Sequence, residues 1–519
     1  MNMRTMALAV LLAALPLADA FATTWIVTGT GEPATIASAT CDLSNNCPTL
    51  RDAINSAALS GDTIQFSTAI DGQTILLSLY GNDLGTSTRT SSQFGPSAFF
   101  FTGGKSLTID GKTGLRLGIT IARDTTAPFR LFDIDVGSGL TLQGLTLKNG
   151  LAQGFSSDFG GGALGAGGAI FNQGTVSIDS CTFTGNAAQG GASGDSSGNY
   201  GGAGVGSAPP ASNGGGPNGG VYPPPPNVGF GGGGYAYSAG GAGGFGGGGG
   251  EGGTTGGTGG FGGGGGGSAN GAAASGGYGG GAGGTTGTPY PRGGGGAGMG
   301  GAIFNDAGTL TIVNSTFTGN SASGAAGGSG AAGGAGLGGA IFNYSAVLSI
   351  QSSTLARNAV AAASGGTADG GSVYSLDDRN CSVGGNTCGG SASTLDLENS
   401  ILSNSQGSAH DIVVTASGTS QPSGTFSGLI VMSYDNTQFT ISNPVSSADP
   451  MLSPLGHYGG PTPTMVPHAG SPAIDALNCA AVTVTVDQRG FARPQPQNPN
   501  CDVGAVEYDG DYIFANGFD

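Results

Sequence analysis

The chain has 519 residues, 111 of them glycine, a formal charge of −17 and only 9% charged residues. That balance argues against nucleic acid or an anionic membrane surface as partner, because both attract clustered Lys and Arg. The glycine content argues against an ordinary globular domain and points to repeats or low complexity.

In chain order, the first element is a signal peptide over residues 1–20. It shows one basic residue, Arg4, an apolar run from Met6 to Ala18, and Ala18-Asp19-Ala20 as cleavage site. The run is too short to span a bilayer, and no later segment supplies the roughly 20 apolar residues a span needs. The expectation is an exported chain with no transmembrane segment in its mature part.

Seven cysteines in an exported chain read as disulfides with one left over. The pairs nearest in sequence are Cys41 with Cys47, Cys381 with Cys388, and Cys479 with Cys501, although spacing alone does not fix connectivity. Cys181 is the remainder. Within an N-terminal cap of residues 21–66, Thr49-Leu50-Arg51-Asp52 has the form of a capping box. Leu50, Ala53, Ile54, Ala57 and Ala58 then share one helical face, so a short amphipathic helix is predicted there, covering the open end of the repeat region.

That region, residues 67–443, is built from one recurring unit. GGAIFNQGTVSIDSCTFTGN from Gly167 returns as GGAIFNDAGTLTIVNSTFTGN from Gly300 and GGAIFNYSAVLSIQSSTLARN from Gly338. Aligned without gaps, the same frame recovers LTLQGLTLKNG from Leu140, LDLENSILSNS from Leu395 and LTIDG from Leu107. Apolar residues alternate within each unit, as in short strands with one face buried. One unit holds too little apolar surface to offset the ordering of its own backbone. Stacked units share a core, which is the logic of a solenoid; strands this short with no helical pattern between them predict a parallel β-helix. Val176, Leu310, Leu348 and Leu395 then form one inward row, and Ile178, Ile312, Ile350 and Leu397 the next. Phe183 and Phe317 join the core. Cys181 aligns with Ser315, Ser353 and Ser400, a row for small inward side chains, with a reactive thiol as the alternative.

Unit starts are 33 to 47 residues apart except for one gap of 134. Residues 188–299, dominated by glycine, are therefore a single insertion between adjacent coils. Shorter glycine-rich relatives sit at the corresponding place in other units, so the insertions leave one face. With so little apolar content, the long insertion reads as a flexible or weakly ordered flap; extended glycine strands packed against the solenoid are the alternative. From Pro444 the repeats give way to a Pro-rich C-terminal cap, residues 444–508, followed by the acidic, aromatic tail 509–519.

Three of these stretches resemble known families. GGAIFN with FTGN resembles the repeats of polymorphic outer membrane proteins and related bacterial β-helix proteins. CPTLRDAINSA, residues 47–57, is similar to the CSLREA-type segment of exported bacterial β-helix proteins, departing from it in Pro48 and in Asp52 for Glu. GGPTPTMVPHAGSPAIDALNCAAVTVTVDQRGFARPQPQNPNCDVGAVE, residues 459–507, looks like the choice-of-anchor Q domain and is the most specific match. The resemblance implies a right-handed parallel β-helix, a secreted or outer-membrane-associated location, and no assigned catalysis. It also makes the tail DGDYIFANGFD a candidate sorting or attachment signal.

The sequence nominates no catalytic, cofactor-binding or metal-ligating residue. Asp377-Asp378-Arg379 is the one compact charged group in the repeats and reads as a solvated loop. His410, His457 and His468 are scattered, without metal spacing. Asp475, Asp487, Arg489, Arg493, Asp502 and Glu507 form the densest charge group, read as Arg–carboxylate pairing that holds a small cap together. A noncatalytic adhesion or surface-interaction protein, with an extracellular glycan or cell-surface protein as partner, is the leading expectation. A polysaccharide lyase or glycoside hydrolase and a matrix scaffold built around the glycine insertion are the alternatives.

Overall fold

The computed structural model describes residues 22–57, 61–81, 94–194, 200–204, 213–215, 232–285, 291–378, 382–383, 386–387, 393–417, 422–435, 441, 444–494 and 499–510. The signal peptide, the tail beyond Gly510, Ala58, Arg379 and both Cys381 and Cys388 fall outside them.

The chain is a parallel β-helix. Each full coil contributes one strand to each of three long parallel sheets, of ten, eight and seven strands among the described residues. The coil around the first repeat shows the order: Ile170–Asn172 on the seven-stranded face, Thr175–Asp179 on the ten-stranded face and Thr182–Thr184 on the eight-stranded face. The gapless alignment is the observed register. Val176 pairs with Leu140 and Leu310, Leu310 with Leu348, and Leu348 with Leu395; Leu107 pairs with Leu140. Thr175–Asp179 lies directly beside Thr309–Val313, so the insertion does leave between adjacent coils.

Side chains at alternate positions fill the bore. Ile178, Ile312, Ile350, Phe183 and Phe317 are all 0% exposed and belong to one continuous core. Phe183 and Phe317 stack with ring centroids 4.5 Å apart. Cys181 sits in the small-residue row: its N–H donates to Ser315 Oγ, the Ser315 N–H to Ser353 Oγ, and the Ser353 N–H to Ser400 Oγ. Burial pushes its thiol up to about 12, so the residue is a packed thiol rather than a nucleophile. Two asparagine ladders run beside it. Asn172 Nδ2 donates to Asn305 Oδ1 and Asn305 Nδ2 to Asn343 Oδ1; Asn186 and Asn320 do the same toward Asn320 and Asn358. Each satisfies buried corner carbonyls, as where Asn320 Nδ2 donates to Phe183 O.

At the start, Leu50–Ser56 forms the predicted helix. Leu50, Ala53, Ile54 and Ala57 join the main core and close its end. Thr49 caps the helix through the Asp52 N–H, but Asp52 is one methylene shorter than the Glu of a full capping box. Its carboxylate instead accepts from Thr49, Ser38 and Thr40. The Cys41–Cys47 disulfide lies here. The solenoid begins earlier than expected, because Thr24–Val27 and Asp62–Phe66, both within the predicted cap, already belong to the ten-stranded sheet.

Over its described residues the glycine insertion departs from the flap expectation. Residues 232–285 and 291–297 run as extended passes whose consecutive N–H groups reach different neighbours. Gly248 donates to Ala203 O, Gly249 to Gly264 O and Gly250 to Gly241 O; Gly264, Gly265 and Gly266 donate to Gly162, Gly281 and Gly257. Donors that radiate in this way are those of a threefold extended helix, which cannot bond within itself. Bundling satisfies it. The passes lie so close that a Cβ on Gly161 would stand 1.8 Å from Gly264 O, and one on Gly264 2.0 Å from Gly294 O. Glycine thus lets backbone amides replace the missing apolar area. The shorter glycine-rich segments around Gly161 and Gly334 enter the same layer.

Aromatic side chains dock this layer. In GGAIFN the Ile points into the bore and the Phe points out, so Phe171, Phe304, Phe342 and Tyr374 form an outer ladder with ring centroids 5.2–5.3 Å apart between consecutive members. Phe245, Phe261 and Tyr278, one from each pass, stack on one another and cover that ladder, with Phe261 4.3 Å from Tyr344. The Ile and Phe of this motif therefore fill two separate cores.

Buried in the glycine layer, Glu251 is 3% exposed and its Oε2 has no hydrogen-bond partner. Burial pushes its carboxyl up to about 7, with the Arg292 charge offsetting only part. The folded state therefore holds this proton more tightly than the unfolded chain, whose carboxyl titrates near 4.5. That contribution is complete below the unfolded value and is lost as pH rises through the folded one. Glu251→Gln should be up to roughly 3 kcal/mol more stable than the parent at pH 8. Thermal melts of both proteins from pH 4 to 8 check it; a stability difference that does not grow with pH would contradict the assignment.

Candidate functional site

Two of the three solenoid faces are covered by the chain itself. The seven-stranded face lies under the glycine layer. The eight-stranded face carries a row of threonines, Thr146, Thr182, Thr316 and Thr354, all at most 5% exposed. The C-terminal segment covers them. Thr462 Oγ1 donates to Ser180 O, Thr182 to Pro463 O, and the Ala505 N–H to Thr354 Oγ1. Gln488 sits at the centre of this seam. Its Oε1 accepts from Thr316 and Thr464, and its Nε2 donates to Thr182 and Thr462. The C-terminal segment is therefore a strap along the flank rather than a cap over the end, and this threonine row is not presented to solvent. Gln488→Leu would take one hydrogen-bond partner from each of four buried hydroxyls and should cost about 2–3 kcal/mol; chemical denaturation checks it, and a change under about 0.5 kcal/mol would mean the seam is not a stabilising contact.

Inside the strap four of the six residues of the predicted charge group form ion pairs, while the Asp475 side chain is exposed. Arg489 bonds Asp487 at 2.8 Å and Arg493 bonds Glu507 at 2.5 Å, and Arg493 also donates to Asp502 O and Gly504 O. Asp502 accepts the Asp475 N–H; burial pushes its own carboxyl up to about 6. These groups are consumed in holding a loop-rich segment that also carries the Cys479–Cys501 disulfide.

The other charged candidates separate. Asp377 is not in a solvated loop: it ends the strand Val373–Asp377 and is 0% exposed, because the strand continues past the Tyr374 rung. Asp378 accepts from Tyr344 Oη. His410 is not isolated either. Its Nδ1 lies 2.9 Å from Asp369 Oδ2, and Asp369 also accepts from Ser408 Oγ and the His410 N–H, which staples neighbouring coils. His457 and His468 are exposed in loops.

The ten-stranded face is different. Its inward rows are buried and its outward rows are not. One outward row runs Thr63, Thr108, Thr141, Ser177, Thr311, Ser349 and Asp396, each paired with the next. A second runs Ser106, Gly139, Thr175, Thr309, Val347 and Thr394. Each of these residues is partly or fully exposed. A third outward row runs Asp110, Gln143, Asp179, Val313, Gln351 and Glu398. Successive rungs are about 4.8 Å apart, as in any parallel sheet, so the first two rows form a lattice of hydroxyls with a notch at Gly139, bordered by a row of carboxylates and amides. Such a surface can donate and accept hydrogen bonds along its length. It brings no buried acid or base to a common point among the described residues. The outward Ser and Thr were readable from the repeat; the covering of the other two faces was not, because it depends on Phe171, Phe304, Phe342 and Gln488 meeting segments far away in sequence.

No helix among the described residues is long and apolar enough to cross a membrane. Comparison with protein families, with curated proteins and with solved structures finds no match.

Proposed function

We propose that the chain is a noncatalytic secreted or cell-surface β-helix protein that attaches to an extracellular partner through its ten-stranded face. The observation that carries this reading is the asymmetry of covering. The chain spends its glycine insertion and its C-terminal strap on two faces and leaves the third, lined by two hydroxyl-rich rows and a third row that carries Asp110, Asp179 and Glu398, to solvent. A rigid surface with many equivalent hydrogen-bonding rungs suits a partner met over an extended area, where many weak contacts add up.

Placing Arg at Thr141 and Thr311 in the outward row tests it without touching the core. Attachment of labelled protein to cells and extracellular material of the producing culture should fall about tenfold or more. Arg at the exposed Ser238, a turn tip of the glycine layer, should leave attachment unchanged. Equal attachment by all three proteins would sink the reading.

A further inference from the structure

A concave site lies at the edge of the eight-stranded face, away from the hydroxyl lattice. Three successive coils build it. Arg123 to Thr126 supply one wall, Asn149 to Leu151 the floor, and Gly185, Ala187 and Gln189 the far side. The coil strands there pair directly, Lys148 with Ala122 and Thr184 with Lys148, so the cleft spans about 10 Å along the axis at about 4.8 Å per coil.

Its floor is open for a local reason. Asn149 at φ 61° and Gly185 at φ 67° both turn the chain in the left-handed region. Gly185 has no side chain to fill the space, and a Cβ there would stand 2.9 Å from Asn149 Oδ1. Arg123 is fixed as a wall: its Nε donates to Asn149 O and its Nη1 to Thr125 O and Ala127 O. Asp124, Thr126 and Asn149 are exposed around it and Gln189 is half-buried.

We propose that this corner cleft is a binding subsite for a neutral saccharide, the length of a disaccharide unit within a longer chain. The donor and acceptor set decides the class. Side-chain amides of Asn149 and Gln189 both donate and accept, the hydroxyl of Thr126 does the same, and the Asp124 carboxylate accepts from paired hydroxyls. Vicinal sugar hydroxyls need that mixture. An anionic ligand would need a free guanidinium fork, but Arg123 spends Nε and Nη1 on carbonyls, Asp124 stands beside it, and the chain carries a charge of −17. A divalent cation would find one carboxylate where it needs several.

The assignment goes beyond the attachment reading by adding a second site, separate from the ten-stranded face, with a named ligand class. Titration calorimetry of the full chain with cellohexaose, mannohexaose and, as acidic comparator, a galacturonate oligomer tests it. At least one neutral oligosaccharide should bind. Asp124→Ala with Gln189→Ala should weaken it about tenfold or more, and Thr126→Trp, which fills the cleft from an exposed position, should abolish it with the melting temperature unchanged. Binding of the galacturonate alone, no binding of any neutral oligosaccharide at millimolar concentration, or full binding by the double variant would each overturn the assignment. A chain that still attaches to cells through its ten-stranded face while taking no oligosaccharide overturns the saccharide site and leaves the attachment reading standing.

Discussion

Ile312→Asp should disrupt the solenoid at its middle. Ile312 is 0% exposed, pairs with Ile178 on one side and Ile350 on the other, and lies in a continuous apolar core. Its neighbours in that core are apolar, so the substitution must either bury a charge or protonate it at great cost. The expected loss is at least about 5 kcal/mol. Because each coil rests on its neighbours, the loss should spread to adjacent coils before the ends feel it. Hydrogen exchange should show lost protection first in Thr175–Asp179 and Val347–Gln351. A variant as stable as its parent would mean that the inward assignment is wrong.

Gly264→Val should have an effect of similar size in a different place. A Cβ at Gly264 meets Gly294 O at 2.0 Å and its carbon at 2.5 Å, both backbone atoms of a segment held by other hydrogen bonds. Nothing there can give way as the end of a flexible side chain could, so the passes must separate. Separation uncovers Phe245 and Phe261, which now lie 8% and 3% exposed, and removes amide partners along the layer. The expected local cost exceeds about 4 kcal/mol. Limited proteolysis should cut residues 232–285 in the variant and spare them in the parent, while the solenoid sheets keep their far-ultraviolet signal. Gly31→Ala is the control, since a Cβ at Gly31 meets nothing within 4 Å. Equal resistance of parent and Gly264→Val would refute the packed layer.

Local forces are the ones a sequence displays. The repeat register could be read residue by residue, because alternation along Leu310, Ile312 and Phe317 is imposed by the strand itself and stacking needs only copies in phase. The role of Cys181 followed from the same alignment. The helix at Leu50–Ser56 was visible in its apolar face, but not the burial of Arg51, which is satisfied by Glu32, Leu79 O and Ala98 O from three separate segments.

The glycine insertion reads as a flap in the sequence because apolar content is the wrong measure for it. Its order comes from amides that bond outward to several chains, and composition does not say where those chains are. The pairing of Arg493 with Glu507 was readable as a local cluster. The seam at Gln488 was not, because its partners Thr182 and Thr316 lie 306 and 172 residues away. The corner cleft was invisible for the same reason: Asp124, Asn149 and Gln189 belong to three coils and to no shared motif.

In the proposed reading, two faces of the solenoid are covered by the molecule itself and the ten-stranded face meets the extended partner. Hydroxyl-radical footprinting of the chain free and attached to its extracellular material tests that division directly. Protection on attachment should fall on the ten-stranded face, over Ser106–Asp110, Gly139–Gln143, Thr175–Asp179 and Thr309–Val313, and the turn tips of the glycine layer at residues 236–239, 253–255 and 269–272 should be labelled equally in both states. Protection of those tips with the ten-stranded face unchanged would contradict that division and make the glycine layer the contacting surface.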